Sequence, residues 1–231
     1  MDAVATFRRL LPSAADGLSA ADVAAAAPGP APAERPFVLL NMIATADGRA
    51  TIAGHTKAIA NRADYELFHA LRDRADAVLV GAGTVRAEGY GAMDQLAVVV
   101  SRSVDLPAGV GLLAAPGNRV VVITPSADAE LPPCAASVTY LREPDLAVAL
   151  RRLRSEHGVG SIVCEGGPEL NAALLPAGLI DELQLVIAAK LAGGSNPLTI
   201  LSGAELDPPL ALRLLSLHES GDYLFARYAV A

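Results

Sequence analysis

The chain has no tryptophan, and only 4 % of its 231 residues are aromatic. A stacking platform for single-stranded nucleic acid therefore has little to stand on. Cysteine is nearly as scarce. Cys134 and Cys164 lie far apart, with no second Cys or His at metal-ligand spacing. This points to a reducing, cytoplasmic compartment and to no metal site. Long apolar runs are missing too: none reaches the ~20 residues of a membrane-spanning helix. Arg8 and Arg9 near the start precede no apolar stretch, which argues against a signal peptide. Positive charge is also short. Eighteen Lys and Arg face 25 Asp and Glu, a net charge of −7 that argues against a nucleic-acid binder. Any phosphate must be held by local donors.

What the chain has is apolar bulk. Hydrophobic residues make up 52 % and charged residues 19 %, enough to bury one sizeable α/β core. Residues 13–36 are dominated by Ala and Pro, and the prolines forbid a continuous helix. Residues 1–35 read as a leader, surface-hugging or mobile, with Phe7, Leu10 and Leu11 packing as a short helix. Residues 36–231 read as the working domain.

From Pro36 onward, apolar runs alternate with turn residues. Phe37–Ile43, Ala77–Val80, Ala97–Val100, Arg119–Thr124, Ser161–Cys164 and Leu183–Ala188 read as buried strands. Arg62–Asp73 reads as a helix capped by Asn61, with Asp64 and Glu66 as the only acids early in it. Leu146–Glu156 and Pro168–Leu175 read as helices, and Leu212–Leu217 with Tyr223–Val230 as an antiparallel pair turning at Gly221-Asp222. The alternation predicts a mixed, mostly parallel sheet covered on both faces.

Ligands of such sheets sit at the carboxyl ends of the strands. Four polar or glycine-rich loops follow strands here: Ala44–Arg49, Gly81–Val85, Ser101–Ser103 and Glu165–Leu170. Asp47-Gly48 reads as a turn pair, with Asp47 shaping the loop. Gly81-Ala82-Gly83-Thr84 lets backbone amides approach an anion, though it is not a Rossmann fingerprint because Arg86 stands at the third glycine position. Ser101-Arg102-Ser103 sets a guanidinium between two hydroxyls, suited to a phosphate monoester. Glu165-Gly166-Gly167-Pro168 is the strongest signal: two glycines open onto a proline suited to a helix start, where a diphosphate can bind.

The ordered set Asn41–Arg49, Leu71-Arg72, Asp76–Val85, Glu165–Leu170 and Asp181–Leu183 resembles the C-terminal reductase domain of the bifunctional riboflavin deaminase/reductase family. The resemblance runs from about Pro36 to Ala231, nearest a stand-alone actinobacterial pyrimidine reductase branch. It implies a dihydrofolate-reductase-like three-layer α/β/α sandwich with a C-terminal antiparallel hairpin, and a homodimer. It implies an NADPH-dependent oxidoreductase of riboflavin biosynthesis. The substrate would be 5-amino-6-(5-phosphoribosylamino)uracil, with hydride delivered to the ring-opened ribosyl C1. By family position, Ile43, Ala44, Thr84, Glu88, Ser101, Arg102, Gly166, Gly167 and Pro168 would bind the cofactor. Lys57, Arg72 and Glu165 would bind a phosphorylated pyrimidine, and no residue is singled out as catalytic. The sequence departs from the family in lacking the zinc-binding deaminase half, in a family Trp replaced near Ile59, and in Ala189 where Pro is usual before Lys190. Two alternatives stay open: reduction of another pterin or pyrimidine such as dihydrofolate, and a non-catalytic nucleotide-binding protein.

Overall fold

Strand-forming runs rich in Val, Ile and Leu build the sheet, and each is followed by a turn into a helix or the next strand. A computed structural model describes residues 4–195 and 197–231. Its central strands are β3 (Phe37–Thr45), β4 (Ala77–Gly81), β5 (Leu96–Val100), β6 (Arg119–Thr124), β7 (Ser137–Arg142), β8 (Ser161–Cys164) and β9 (Glu182–Ala188). A C-terminal hairpin, β10 (Leu212–Ser220) and β11 (Tyr223–Val230), pairs antiparallel with β9, and N-terminal β1 (Phe7–Leu11) and β2 (Ala15–Leu18) extend it. The order across the sheet is β2-β1-β10-β11-β9-β3-β8-β4-β5-β6-β7. Every pairing from β9 through β7 is parallel.

The helices form the outer layers. On one face, α5 (Leu146–His157) and α6 (Pro168–Leu174) cover a core that includes Leu40, Leu79, Val98, Ile123 and Leu150. On the other, α1 (Ala20–Ala24) and α2 (Arg62–Arg72) cover Leu39, Ile43 and Val163, while α3 (Ala82–Glu88) and α4 (Gly111–Ala114) cover Ala97, Val99 and Val122. Helix α2 starts where expected: Asn61 Oδ1 accepts from the Asp64 N–H at 2.9 Å. Helix α5 is capped by Asp145, whose carboxylate accepts from the Ala147 and Val148 N–H groups, and ends at Gly158 with φ of 69°.

The N-terminal stretch differs from the expected helix. Phe7–Leu11 is a strand on β10, and Phe7 is 1 % exposed, packed edge-on against Phe225 with ring centroids 5.0 Å apart. Ser19 and Asp22 form a reciprocal capping box that starts α1, so Val23, Ala24 and Ala27 join the same core. Arg35 then clamps the entry to β3 by a two-pronged ion pair with Asp181 at 2.7 and 2.8 Å. The Gly81–Val85 loop is likewise shorter than expected, because α3 begins at Ala82. Sequence reading also missed edge strand β7 and short helix α4.

Candidate active site

The carboxyl ends of β3, β4, β5, β6 and β8 open on one side of the sheet, and two connected depressions lie there. The outer cleft, about 730 Å³, runs over the ends of β4, β5 and β8, where Gly83, Thr84, Ser101, Arg102, Gly167 and Pro168 line it. The inner pocket, about 410 Å³, lies between β3 and α2, lined by Asn41, Ile43, Asp64, Phe68, Arg72 and Tyr90 among others. Met42, Ala50, Thr56, Thr84, Glu88 and Glu165 border both.

The outer cleft is built from close backbone contacts. The Gly81 N–H donates to the Gly166 carbonyl at 2.6 Å, drawing the ends of β4 and β8 together. A Cβ at Gly167 would fall 2.7 Å from Thr84 Oγ1. Gly166 has φ of +75°, and a Cβ there would press on the Asn171 side chain at 3.0 Å and on Met42 Sδ at 3.3 Å. Gly166 is therefore required by its left-handed backbone, while a side chain at Gly167 would have to displace the Thr84 hydroxyl. The Gly166–Gly167 peptide is cis. The two helix starts at this seam, α3 after Gly81 and α6 after Gly167, carry no side-chain cap. The rim is more exposed: Arg102 and Glu169 form a 3.3 Å ion pair, with side chains 85 % and 84 % exposed.

Between the two depressions sits a buried ionic knot. Arg72 Nε and Nη2 donate to Glu165 Oε1 and Oε2 at 2.6 and 2.8 Å, and the Tyr90 hydroxyl donates to Oε2 at 2.6 Å. The Arg72 guanidinium also stacks over Phe68, 4.1 Å from the ring centroid. Burial alone would lower the Arg72 pKa, but Glu165 outweighs it and the net shift is upward. Burial, reinforced by the Glu165 carboxylate, holds the Tyr90 phenol well above its ordinary range. Tyr90 therefore stays a donor at neutral pH.

The loop 46–60 closes the site from above. Its Thr56 N–H donates to Glu88 Oε1 at 2.9 Å, and Tyr223 donates its hydroxyl to the Ile59 carbonyl at 2.8 Å. Asp47 shapes this region: its carboxylate accepts from Thr45 Oγ1 and from the Ala192 and Gly193 N–H groups, which depress its pKa to about 2.

Of the residues expected at the cofactor, Thr84, Glu88, Ser101, Arg102, Gly167 and Pro168 line the outer cleft and Ile43 the inner pocket. Gly166 acts one step back, through its left-handed backbone. Ala44 is buried and lines neither depression. Among the residues expected at the substrate, Arg72 and Glu165 come together and hold each other. Lys57 is exposed and outside both linings; its neighbour Thr56, pinned by Glu88, takes the lining position. Tyr90, Met42 and Asn171 were missed, and only their contacts across the sheet reveal them.

The family model for the RibD C-terminal domain matches residues 36–225. The 2,5-diamino-6-ribosylamino-4(3H)-pyrimidinone 5′-phosphate reductase of Methanothermobacter thermautotrophicus is 31 % identical over 216 residues, covering 85 % of this chain and 99 % of that protein. The riboflavin biosynthesis protein RibD of Actinobacillus pleuropneumoniae is 27 % identical over 85 % of this chain, which spans 57 % of that longer protein. A pyrimidine reductase-like protein of Corynebacterium diphtheriae shares the fold with a TM-score of 0.73, 22 % identity, and coverage of 93 % of this chain and 99 % of its own. The fold, the glycine seam at the cleft and these matches converge: the chain belongs to the RibD C-terminal domain family, the reductases of riboflavin biosynthesis.

Proposed function

We propose that the chain is an NADPH-dependent reductase that converts the ribosylamino group of a phosphorylated aminopyrimidine to the ribityl chain. The observation that carries this reading is the pairing of a glycine-seamed outer cleft with a chemically distinct inner pocket, joined along Met42, Thr84, Glu88 and Glu165. The outer cleft suits a dinucleotide. Gly166 and Gly167 keep side chains out of the seam where a diphosphate would lie, Thr84 offers a hydroxyl there, and Ser101 and Arg102 form the far end for a 2′-phosphate. NADPH supplies the hydride when bound.

The chain's own residues align the reactants and control charge. Glu165 is held by three donors, so it has about one of its four acceptor positions left for a ligand hydroxyl or N–H. Arg72 keeps Nη1, which has no protein partner among the described residues, to meet a substrate oxygen while Nε and Nη2 hold Glu165. Met42, where the two depressions meet, and Ile43 of the inner pocket present apolar surface. We further propose a cytoplasmic homodimer. The unpaired thiols Cys134 and Cys164 suit that compartment, and the exposed Leu212, Leu214 and Leu224 of the C-terminal hairpin suit a second copy.

The test is NADPH consumption with the ribosylaminopyrimidine phosphates and, in parallel, with dihydrofolate. Oxidation of NADPH by dihydrofolate alone would transfer the fold to a different substrate. Gly167→Ala should weaken NADPH binding by about tenfold or more, because its Cβ meets Thr84 Oγ1 at 2.7 Å. Unchanged affinity by calorimetry would place the diphosphate elsewhere.

A further inference from the structure

We propose that residues 4–35 form a brace for helix α2, and that through α2 this segment sets how tightly the inner pocket holds the pyrimidine. The second half of the inference rests on the reductase reading above; the first half does not.

The segment lies ahead of the family match, which begins at residue 36. None of its residues lines either depression. Its contacts converge on α2 instead. The Ala5 N–H donates to Glu66 Oε2 at 3.0 Å, near the start of that helix. Just past the other end, Arg74 donates from Nε to the Ala27 carbonyl at 2.6 Å and from Nη2 to the Ala25 carbonyl at 3.0 Å. Arg227 takes the carbonyl between them, that of Ala26, at 2.8 Å. These carbonyls follow the last turn of α1, where intrahelical donors run out, so two guanidinium groups close that end and fasten it to the body. Between the anchors, Val23, Ala24 and Ala27 share one buried core with Ala63, Leu67 and Leu71 of α2. The far side of the brace is fixed too. Phe7 is buried against Phe225, and Ser220 donates its hydroxyl to the Thr6 carbonyl at 2.7 Å.

The opposite side of α2 is the working one. Tyr65, Phe68 and Arg72 line the inner pocket, and Arg72 carries the knot with Glu165. That side faces a void of about 410 Å³ and gains little packing from it. A helix of 11 residues is marginal without tertiary support. Helix α2 therefore depends on the sheet beneath Leu67 and Leu71 and on the brace held by Glu66 and Arg74. No residue of α2 lines the outer cleft. A shift of α2 thus moves the pyrimidine's contacts and leaves the cofactor's in place, and a misplacement of about 1 Å can cost a hundredfold.

Two variants of the full chain approach the contact from its two sides. Glu66→Ala with Arg74→Ala removes the anchors on the α2 side. Ser19→Ala with Val23→Ala weakens α1 without altering α2, since Ser19 caps α1 and Val23 is one of its buried residues. Each pair should raise the KM for the ribosylaminopyrimidine phosphate about three- to thirtyfold and leave the NADPH Kd within about twofold by calorimetry. Leu153→Ala, in the core on the opposite face of the sheet, is the control: it should lower Tm without a selective rise in KM. An unmoved KM in both pairs, a KM and an NADPH Kd that rise together, or an equal selective rise in Leu153→Ala would overturn the link to the pyrimidine.

Hydrogen exchange on the ligand-free protein tests the brace without turnover. In both pairs the amides of α2 should exchange about tenfold faster or more, while those of α5 keep the wild-type rate. Wild-type exchange in α2 refutes the brace even if the chain is an active reductase. Faster exchange in α2 with no reduction of a ribosylaminopyrimidine phosphate by the wild type upholds the brace and removes the reductase reading.

Discussion

Removing Arg72 should destabilise the protein as well as impair it. The side chains of Arg72 and Glu165 are only 13 % and 3 % exposed, and they share two charge-assisted hydrogen bonds of 2.6 and 2.8 Å. In Arg72→Ala, Glu165 is left as a buried carboxylate whose one remaining donor is the Tyr90 hydroxyl. Breaking one side of such a pair costs about 3–5 kcal/mol. For a chain of this size, that corresponds to a fall in Tm of roughly 6–20 °C. Removing both charges should behave differently. Arg72→Met with Glu165→Leu replaces the pair by apolar groups, and the double variant should lie within about 2 kcal/mol of the wild type. Urea titrations of the wild type, Arg72→Met, Glu165→Leu and the double variant close the cycle. The expected coupling exceeds about 1.5 kcal/mol, and the double variant should fold well but reduce nothing, since the Nη1 donors go with Arg72. An Arg72→Ala loss below about 1 kcal/mol with no coupling would refute the reasoning, because that is how solvent-screened surface pairs behave.

Two further expectations follow from particular contacts. Arg102 is 85 % exposed and opposed by Glu169 at 3.3 Å, so its grip on a 2′-phosphate is that of a screened surface pair, about 0.2–1 kcal/mol. Arg102→Ala should weaken NADPH by at most about fivefold and Glu169→Gln should strengthen it; equal losses for NADPH and NADH would show that Arg102 acts on the fold. Phe7→Ala empties a site 1 % exposed and removes the edge-on contact with Phe225, at a cost of about 3–5 kcal/mol by thermal or urea denaturation; a Tm within about 2 °C of the wild type would mean that β1 merely adheres.

The parallel strands were legible because each is buried on both faces and so reads as an unbroken apolar run, as in Val78-Leu79-Val80 and Val120-Val121-Val122. The missed strands lack that mark. In β1, Arg8 and Arg9 interrupt the pattern, and its partner β10 lies some two hundred residues away, so no local turn announces the pairing. Edge strand β7 alternates exposed and covered residues, Ser137-Val138-Thr139-Tyr140, and resembles a loop. Helix α3 was read as a loop because Gly81 and Gly83 carry poor helix propensity, yet Gly81 is only its cap and the remaining turn packs Val85 into the core. Asp76 and Asp181 belong to the motifs that marked the family. Their carboxylates take backbone donors, Gly160 and Ser161 for Asp76 and Val38 for Asp181, so these motif residues hold the frame.

The site was legible to the extent that chemistry sits in contiguous residues. Gly166-Gly167-Pro168 and Ser101-Arg102-Ser103 announce themselves because their spacing is their geometry. The charges do not. Arg72 and Glu165 are 93 residues apart, and read separately each is a free group awaiting a ligand. Joined, they neutralise each other, and the positive charge expected for a phosphate is largely spent inside the protein. The same pairing changes the meaning of Asp64. The sequence marks Asp64 and Glu66 alike as acids early in α2, but once Glu165, Glu88 and Glu66 are each matched to a donor, Asp64 stands apart as a pocket carboxylate with no hydrogen bond or ion pair among the described residues. In a net acidic protein the informative carboxylate is the one without a partner, and only the full set of contacts singles it out.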